Sequence, residues 1–499
     1  MGSKNLYLNS GFSFATSILL VAAGLFTKIA LTRLMTVDEF GVLVICQTFF
    51  SMLLFAAGLS LNDAVVKFIG AVEPGNDYQK KLILSEVLKI TVVSSLFFCA
   101  FYYVISNLIV AGDKSKTELV ATLNLFALFV PFKLASDMIG SAYQGTGQLY
   151  VKMIIVDIFP VFFFITGLGI LYFLEVKTFG WIIFIYLIPF AATLLIFPGP
   201  FKITGILKAP KNNALRKELI RFSCPLFFAG IVSWPEALVP FIIGLVLPAE
   251  SVSYYSLSLS LASFIYLSAT AVEAAGLSVW AGYLSANNPS KIRDDYRRTT
   301  RLGIIVGSII FFVLVCFPAE IVIILFGARF EYVANILPIM SVIFFINLIT
   351  GPTESLLKVY GDTHFIFKVR LIVSGFTLLA IYPLLKLFGL NGAIFTFGLS
   401  AIIGGVGMYS WRIYRAYEVH PFNELFFKSM FSILVSGLSA ILFMKILPKS
   451  NIEFFLILQG AVLYVIFLVV TLLKVGAFSD VENNAIKSFV ENILKKKPT

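Results

Sequence analysis

The sequence has little charge. Of its 499 residues, 13% are Asp, Glu, Lys or Arg and 59% are hydrophobic, whereas a soluble domain carries about 25% charged residues. A chain of this composition cannot cover a water-facing surface, so a soluble protein is excluded. Its apolar runs reach about 20 residues, the length of a helix that crosses a membrane core of ~30 Å, and are too long for barrel strands. The sequence therefore predicts an all-α polytopic membrane protein.

Histidine is scarce and a nucleotide-binding motif is absent. His364 and His420 are the only two histidines, which excludes a histidine-based metal site or catalytic triad. The chain contains no G-x-x-x-x-G-K-[S/T] sequence, so it carries no P-loop ATPase site. The four cysteines lie on different predicted helices at spacings that no metal site uses, which indicates packing thiols. We expect no cofactor and no metal.

A cleavable signal peptide is not apparent. The first apolar run, Gly11 to Ala30, is too long for the hydrophobic region of a signal peptide and lacks a cleavage site. It is predicted to be the first membrane span.

Hydropathy predicts about fourteen transmembrane helices. Helix is the only open structure that satisfies its own backbone hydrogen bonds in lipid. The predicted spans are 9–32, 42–66, 85–110, 119–143, 152–174, 179–200, 222–246, 252–281, 302–326, 333–357, 369–389, 391–411, 427–447 and 453–473.

Lysine and arginine are distributed unevenly between the connections. If the N-terminus is cytoplasmic, most of the 38 Lys and Arg residues lie on the cytoplasmic side, and removing any single span destroys this bias. The positive-inside rule therefore predicts that both termini are cytoplasmic. The net charge of +11 follows from this topology and does not indicate a nucleic-acid partner.

The longest cytoplasmic connection divides the first six spans from the next six. A weak internal repeat supports the division, since the turn Leu34–Glu39 after the first span resembles Leu245–Glu250 after the seventh. We predict an N-terminal six-helix bundle (1–200), a basic cytoplasmic linker (201–221), a C-terminal six-helix bundle (222–415), two additional transmembrane helices (416–475) and a basic cytoplasmic tail (476–499). Because the repeat covers only twelve spans, the last two are predicted to be dispensable for the core.

Several charged residues fall inside predicted spans, where each costs roughly 2.5–3.5 kcal/mol and therefore usually faces a protein interior or a cavity. Some form i,i+4 pairs on one helix face: Asp63 with Lys67, Lys133 with Asp137, and Glu354 with Lys358. Such pairs can be purely structural, since the two charges partly neutralise each other. Lys133 lies mid-span, two residues after Pro131, which favours a cavity role. Lys28 can line a cavity or extend to the membrane interface.

Two further positions suggest binding and coupling. Trp234-Pro235-Glu236 falls in the middle of the seventh span, which is typical of a broken-helix binding position, with packing as the alternative. Glu273, in the eighth span, has no cation within a turn and is a candidate for exchanging H⁺ or Na⁺. Glu236 and Glu354 are the other candidates for ion coupling.

Several sequence segments together resemble the polysaccharide/O-antigen flippases of the multidrug/oligosaccharidyl-lipid/polysaccharide exporter superfamily. The similarity covers roughly residues 5–475, by pattern rather than by strict motif. The segments that carry it are the turn Leu34–Gly41, the charged segment Gly58–Gly70, the turn Gly145–Gln148, the start of the seventh span at Arg216–Pro225, and Leu325–Ala334 before the tenth span.

This resemblance implies a fold and a function. The expected fold is two six-helix bundles in a V around a central cavity, plus two C-terminal helices. The expected activity is alternating access that flips an undecaprenyl-diphosphate-linked oligosaccharide, for O-antigen, lipopolysaccharide or another surface polysaccharide. Expected partners are the polyprenyl-diphosphate-linked glycan, membrane lipids, and a polysaccharide polymerase with its chain-length machinery.

The resemblance also implies candidate substrate-binding residues, because cavities in this family are cationic, which suits a diphosphate. The candidates for the diphosphate are Lys28, Arg33, Lys67 and Lys133, and those for the cavity and the sugar are Asn62, Asp63, Asp137 and Trp234. The aspartates depart from a purely cationic lining.

Three alternatives stay open. A drug/cation antiporter of the same superfamily would use Glu236 or Glu273 for coupling, and a peptidoglycan-precursor flippase would have the same general pattern. A membrane-embedded polysaccharide polymerase or glycosyltransferase would need a long outer loop with catalytic residues, whereas the predicted outer connections are short. We therefore expect a transporter and not an enzyme.

Overall fold

The computed structural model describes residues 3–73, 75–112, 117–176, 178–196, 210–446 and 453–478. Side chains are described in these ranges except at 3–15, 17–18, 105–112, 117–118, 268, 270–275 and 277–278. Every regular element in the described part of the chain is helical, which confirms the predicted all-α class. The chain divides into two compact units, Met1–Ser253 and Tyr254–Thr499.

The first unit contains eleven α-helices and a π-helical segment. The helices are α1 (Ser3–Leu34), α2 (Val37–Gly58), α3 (Leu61–Gly70), α4 (Asp77–Gly112), α5 (Thr117–Gly145), α6 (Leu149–Lys152), α7 (Phe159–Phe173), α8 (Phe179–Ile196), α9 (Asn213–Ile231), α10 (Trp234–Ala237) and α11 (Val239–Val246). The π-helix Met153–Ile158 joins α6 to α7. The α9 helix packs against α3 and α4, and α11 packs against α2.

Helix α12 (Ala249–Ser263) crosses the boundary, and the second unit contains the helices that follow. These are α13 (Leu267–Ser285), α14 (Pro289–Cys316), α15 (Pro318–Phe326), α16 (Val333–Ile349), α17 (Thr353–Val359), α18 (Thr363–Phe388), α19 (Leu390–Ala401), α20 (Ser410–Tyr417), α21 (Glu424–Ile446) and α22 (Glu453–Val475). A second π-helix, Ile402–Tyr409, joins α19 to α20. Short 3₁₀ turns lie at Phe264–Tyr266 and Ala328–Phe330.

Eleven helices of the described residues are long and apolar enough to cross a membrane. They coincide with the second to sixth and the ninth to fourteenth predicted spans. The first, seventh and eighth predicted spans fall on α1, on α9–α11 and on α12–α13. The chain is therefore a multi-span helical membrane protein, and the predicted number of fourteen is approximate. The predicted linker is described only from residue 210, and the predicted division into five regions stays a prediction.

The turn between α1 and α2 is fixed by a capping box. The Thr36 side-chain oxygen accepts a hydrogen bond from the Glu39 backbone N–H (3.3 Å), and the Glu39 carboxylate accepts one from the Thr36 N–H (2.8 Å). At Gly41, a Cβ would lie 1.9 Å from the Ala249 carbonyl oxygen, so only glycine allows the start of α2 to meet the start of α12. The Ser253 hydroxyl donates to the Val37 carbonyl (2.5 Å) at the same contact.

The second predicted span, 42–66, is wrong at its end, because α2 stops at Gly58. Leu59 and Ser60 adopt left-handed backbone conformations, with φ of 50° and 54°, and the chain restarts as α3. The Ser94 hydroxyl donates to the Ala57 carbonyl across helices (2.6 Å), which satisfies a carbonyl that the break leaves without a helical partner. The charged segment predicted inside a span is therefore a separate short helix.

Candidate functional site

The first unit contains a partly open cavity of about 400 Å³ whose mainly apolar lining includes charged and aromatic side chains, and we call it the charged cavity. Lys28 reaches it from α1 and Gln47 from α2. Asp157 reaches it from the π-helix, and Tyr186 from α8. Gln47 and the half-buried Tyr186 form a side-chain hydrogen bond. Groups of both signs and neutral donors thus meet in one cavity, as expected where charge lies inside a membrane protein.

The π-helix places Asp157 in this lining. Its wider turn brings residues five apart onto one face, and Asp157 interacts electrostatically with Lys152, five residues earlier. Gly140 of α5 lets the π-helix approach, since a Cβ there would lie 2.4 Å from a Val156 methyl carbon. π-helical turns occur frequently at functional sites.

A buried ion pair adjoins the charged cavity. The Lys133 ammonium lies 2.5 Å from the Asp137 carboxylate, and both side chains are less than one-fifth exposed. The same ammonium lies 5.5 Å from the centroid of the Phe190 ring, which lines the cavity. Asp157 interacts electrostatically with both members of the pair. We call Lys28, Lys133, Lys152, Asp137 and Asp157 the charged cluster; it carries three positive and two negative groups.

Two further cavities continue from the charged one. A polar and aromatic cavity of about 270 Å³ shares Val44 and Gln47 with it and is also lined by Thr48, Ser51 and Trp234. An apolar cavity of about 340 Å³ in turn shares Met52 and Trp234 with this second cavity. Its other lining residues are mainly aliphatic and aromatic and include Phe49, Phe98, Tyr102 and Phe241.

The seventh predicted span is broken where Trp234 enters the lining. Helix α9 ends at Ile231, and α10 is only four residues long, with Pro235 near its start. The Trp234 ring meets Phe55 edge to face at a centroid distance of 5.0 Å. Gly230 makes room for that Phe55 ring, because a Cβ there would lie 2.3 Å from it. Trp234 therefore stands at the junction of the second and third cavities.

The other substrate candidates do not converge on these three cavities. Arg33 is exposed in the last turn of α1. Lys67 is exposed on α3, and its ammonium lies 3.9 Å from the centroid of the Phe222 ring. Asp63 is exposed nearby, and the side-chain oxygen of Asn62 is buried without a hydrogen-bond partner among the described residues. These four residues thus lie apart from the charged cluster.

The coupling candidates have different surroundings. The Glu354 carboxylate is bound by Lys358 (2.9 Å) and by Arg370 (2.7 Å). Glu236 is exposed on α10. The side chain of Glu273 lies outside the described residues.

Sequence reasoning did not name three members of this lining as site candidates: Gln47, Asp157 and Tyr186. Asp157 lies five residues after Lys152, so a search for i,i+4 partners cannot pair them, and a search at i,i+5 inside an apolar run could have. Gln47 and Tyr186 are single neutral residues in apolar helices, and nothing in the sequence distinguishes them from packing residues.

Known proteins with similar structures are helical membrane transporters, in agreement with the all-α fold of this chain. The MatE family model matches residues 225–383. The solved lipid II flippase MurJ, in an inward closed conformation, is 15% identical over 93% of this chain and 99% of its own, with a TM-score of 0.69. An inward-facing multidrug resistance MATE family transporter of the MOP superfamily is 14% identical over 80% of this chain and 95% of its own, with a TM-score of 0.61. No protein among the curated sequences matches.

The MatE match covers about a third of the chain, 159 of its 499 residues, and the two solved structures share its fold over most of its length. Its structural neighbours are described as a flippase and as a transporter, not as enzymes.

Proposed function

We propose that the chain is a flippase that translocates an undecaprenyl-diphosphate-linked oligosaccharide, an O-antigen or other surface polysaccharide repeat unit, across the cytoplasmic membrane by ion-coupled alternating access. The observation that carries the proposal is the series of three adjoining cavities in the first unit. All three linings are mainly apolar, but the first includes Lys28 and Asp157 and the second Gln47, Thr48 and Ser51, whereas the third is almost entirely aliphatic and aromatic. An amphipathic molecule with an anionic head and a hydrocarbon tail matches this difference.

The charged cavity suits the diphosphate and the first sugars. Lys28 and Asp157 line the cavity, and Lys133, Lys152 and Asp137 lie close enough to Asp157 to act on it electrostatically. The charged cluster as a whole thus carries one positive group more than negative groups. An ammonium inside a low-dielectric space attracts phosphate more strongly than one in water. Gln47 and Tyr186 add neutral groups that can hydrogen-bond hydroxyls.

The apolar cavity suits part of the polyprenyl chain. It shares Trp234 with the polar and aromatic cavity, which in turn adjoins the charged cavity, so the tail of a lipid whose head occupies the charged cavity would lie close to an apolar space. Burial of each CH₂ group there contributes about 0.8 kcal/mol. The similarity to a lipid II flippase supports a lipid-linked substrate of this kind.

The setting follows from the same proposal. The protein would lie in the inner membrane with both termini cytoplasmic and would act as a transporter, not an enzyme. Its partners would be membrane lipids and the lipid-linked glycan, with a polysaccharide polymerase and chain-length machinery acting on the product. H⁺ or Na⁺ would drive the cycle through Glu273 or Glu236. Glu354 is a weaker candidate because two cations already bind it.

The test is transport of a fluorescent undecaprenyl-diphosphate-linked oligosaccharide in proteoliposomes that contain the purified chain. Lys133→Ala should abolish translocation, and Lys133→Arg should keep part of it, because arginine retains the charge but not the shape. The exposed Lys368 provides a charge-matched control, and Lys368→Gln should translocate at the parent rate. Near-normal translocation by Lys133→Ala at matched reconstitution would contradict the proposal.

A double variant separates substrate binding from structure. If Lys133 served only as the counterion of Asp137, the variant Lys133→Ala/Asp137→Ala would regain transport, since no uncompensated carboxylate would remain. We expect it to regain normal membrane insertion but no transport.

The alternatives give different competition results. An excess of a peptidoglycan precursor that blocks translocation more strongly than the oligosaccharide lipid would indicate a peptidoglycan-precursor flippase. Ion-driven efflux of a cationic dye without lipid translocation would indicate a drug/cation antiporter.

A further inference from the structure

A second polar pocket lies in the second unit, where the start of α14 meets the end of α20. It has a volume of about 590 Å³. Three arginines line it, Arg293 and Arg297 from α14 and Arg415 from α20, together with Glu418 and His420 from the segment after α20. We call it the basic pocket. None of these residues belongs to the cavities proposed for transport.

The basic pocket is at the polar end of two membrane-spanning helices. The first turns of α14 are polar and its later turns apolar, and α20 ends at Tyr417. Trp411 and Tyr414 complete the pocket lining and are 55% and 60% exposed. Exposed Trp and Tyr are typical of the membrane interface. The pocket is therefore at the level of lipid headgroups, not within the hydrocarbon.

One arginine of the pocket is anchored by the protein. The Arg297 Nε–H donates to the His420 carbonyl (3.1 Å), and its Nη2 lies 3.1 Å from the His420 ring nitrogen Nε2. Burial, helped by the charge of Arg297, holds the pKa of His420 below its ordinary value. The imidazole is therefore neutral at pH 7, and the positive charge of the pocket comes from its arginines.

Arg293 has a hydrogen-bond donor that no described protein group uses. The Arg293 Nε is buried without a hydrogen-bond partner among the described residues. Its Nη2 lies 3.7 Å from the Glu418 carboxylate, and the Glu418 side chain is 85% exposed. An exposed pair at this distance contributes little, so an anion can displace Glu418. The planar guanidinium has the donor geometry that phosphate oxygens accept in pairs.

We propose that the basic pocket binds a phosphate group, carried either by an anionic phospholipid or by a soluble phosphate ester. Arg293 and Arg415 contact the phosphate oxygens, and Arg297 holds the His420 segment that closes one side. Basic pockets between transmembrane helices are a known form of anionic headgroup recognition. The exposed aromatic rings lie beside the phosphate at the interface.

The experiment compares the full chain with the variant Arg293→Gln/Arg415→Gln. Arg297 is kept because its contacts with His420 are structural. The control is Lys291→Gln/Lys368→Gln, which removes the same charge from exposed positions outside the pocket. In the lipid arm, native mass spectrometry compares how much phosphatidylglycerol and how much phosphatidylcholine stay bound to each protein. In the soluble arm, the thermal midpoint is measured with added glycerol phosphate.

We expect the double variant to bind the phosphate compound about thirtyfold more weakly, since each arginine near the surface contributes about a factor of five. The control should bind as the parent does. Loss of phosphatidylglycerol retention alone identifies a lipid as the source of the phosphate, and loss of the glycerol phosphate shift alone identifies a soluble ester. If the parent and the double variant behave alike in both arms, or if the control loses as much as the double variant, the proposal is overturned.

Discussion

Glu86 illustrates how a single buried charge organises packing in the first unit. Its carboxylate is fully buried on α4 and accepts contacts from Lys89 of the same helix (3.1 Å) and from Arg216 of α9 (3.1 Å). Sequence reasoning assigned Arg216 to a basic linker and gave it only a topological role. The structure shows that it also attaches α9 to α4.

We expect Glu86→Gln to lower the free energy of unfolding by about 2 kcal/mol. Removal of one partner of a buried pair costs about 3–5 kcal/mol, and the partial exposure of both cations reduces that cost. Denaturant titration in detergent measures it, and Glu73→Gln, at an exposed position, is the control. An unchanged free energy of unfolding in Glu86→Gln would show that the carboxylate does not stabilise the contact between α4 and α9.

At the scale of elements, the interruptions of helices determine where the functional groups lie. The break at Leu59–Ser60 places Asp63 and Lys67 on a separate helix after the second span. The break around Trp234 lets that side chain line two cavities. Pro235 signalled the second break in the sequence. The first break could not be foreseen, because neither Leu59 nor Ser60 belongs to the residue types that favour a left-handed backbone.

Ser94→Ala tests the first break. The variant leaves the Ala57 carbonyl without its inter-helix donor, and we expect a loss of about 1 kcal/mol in unfolding free energy. The neighbouring Ser95 is the matched control, because it is buried but its hydroxyl donates to Val92 of its own helix (2.9 Å). Equal losses in Ser94→Ala and Ser95→Ala would contradict a role for the inter-helix bond.

At the scale of the whole molecule, hydropathy and charge were sufficient to predict the all-α membrane class and most of the spans. They singled out Lys28, Lys133, Asp137 and Trp234 as candidates, because charge, proline and tryptophan are conspicuous in apolar runs. They could not determine which of the charged residues lie together, since that depends on how the helices pack and on the π-helix.

The last two helices are more closely integrated than a repeat of twelve spans implies. Arg301 of α14 is 3% exposed and donates to the Ala477 carbonyl just after α22 (2.6 Å). The Tyr464 hydroxyl of α22 donates to Ser308 of α14 (2.9 Å), and the Tyr464 ring stacks on Phe312 at 4.3 Å. Deletion of α21 and α22 would therefore remove a buried acceptor of Arg301.

We expect a chain truncated after Tyr417 to fail to give monodisperse protein in size-exclusion chromatography. Truncation after Phe478 removes only the tail and is the control, which should elute like the parent. A truncated chain that elutes as a monomer with a cooperative thermal transition would show that the first twelve spans suffice.

Ion coupling involves the whole transport cycle. We expect Glu273→Gln to abolish the increase in transport rate that an ion gradient causes. Binding of the lipid-linked substrate should be unchanged. Glutamine keeps the size of the side chain and removes its titration. Uptake in vesicles with an imposed H⁺ or Na⁺ gradient measures this, with Glu320→Gln, an acid near the start of α15, as the control. A parent-like response would direct attention to Glu236.

The π-helix Met153–Ile158 has a consequence for how this lining can change in sequence. A π-turn holds one residue more than an α-turn, so it corresponds to an α-helix with a single inserted residue. Deletion of Ile158 would let the segment close as an ordinary α-helix. Helices α6 and α7 would keep their relative orientation, but Asp157 would move around the helix axis. The charge lining the cavity could thus be exchanged by the gain or loss of one codon, with every other residue of the helix unchanged.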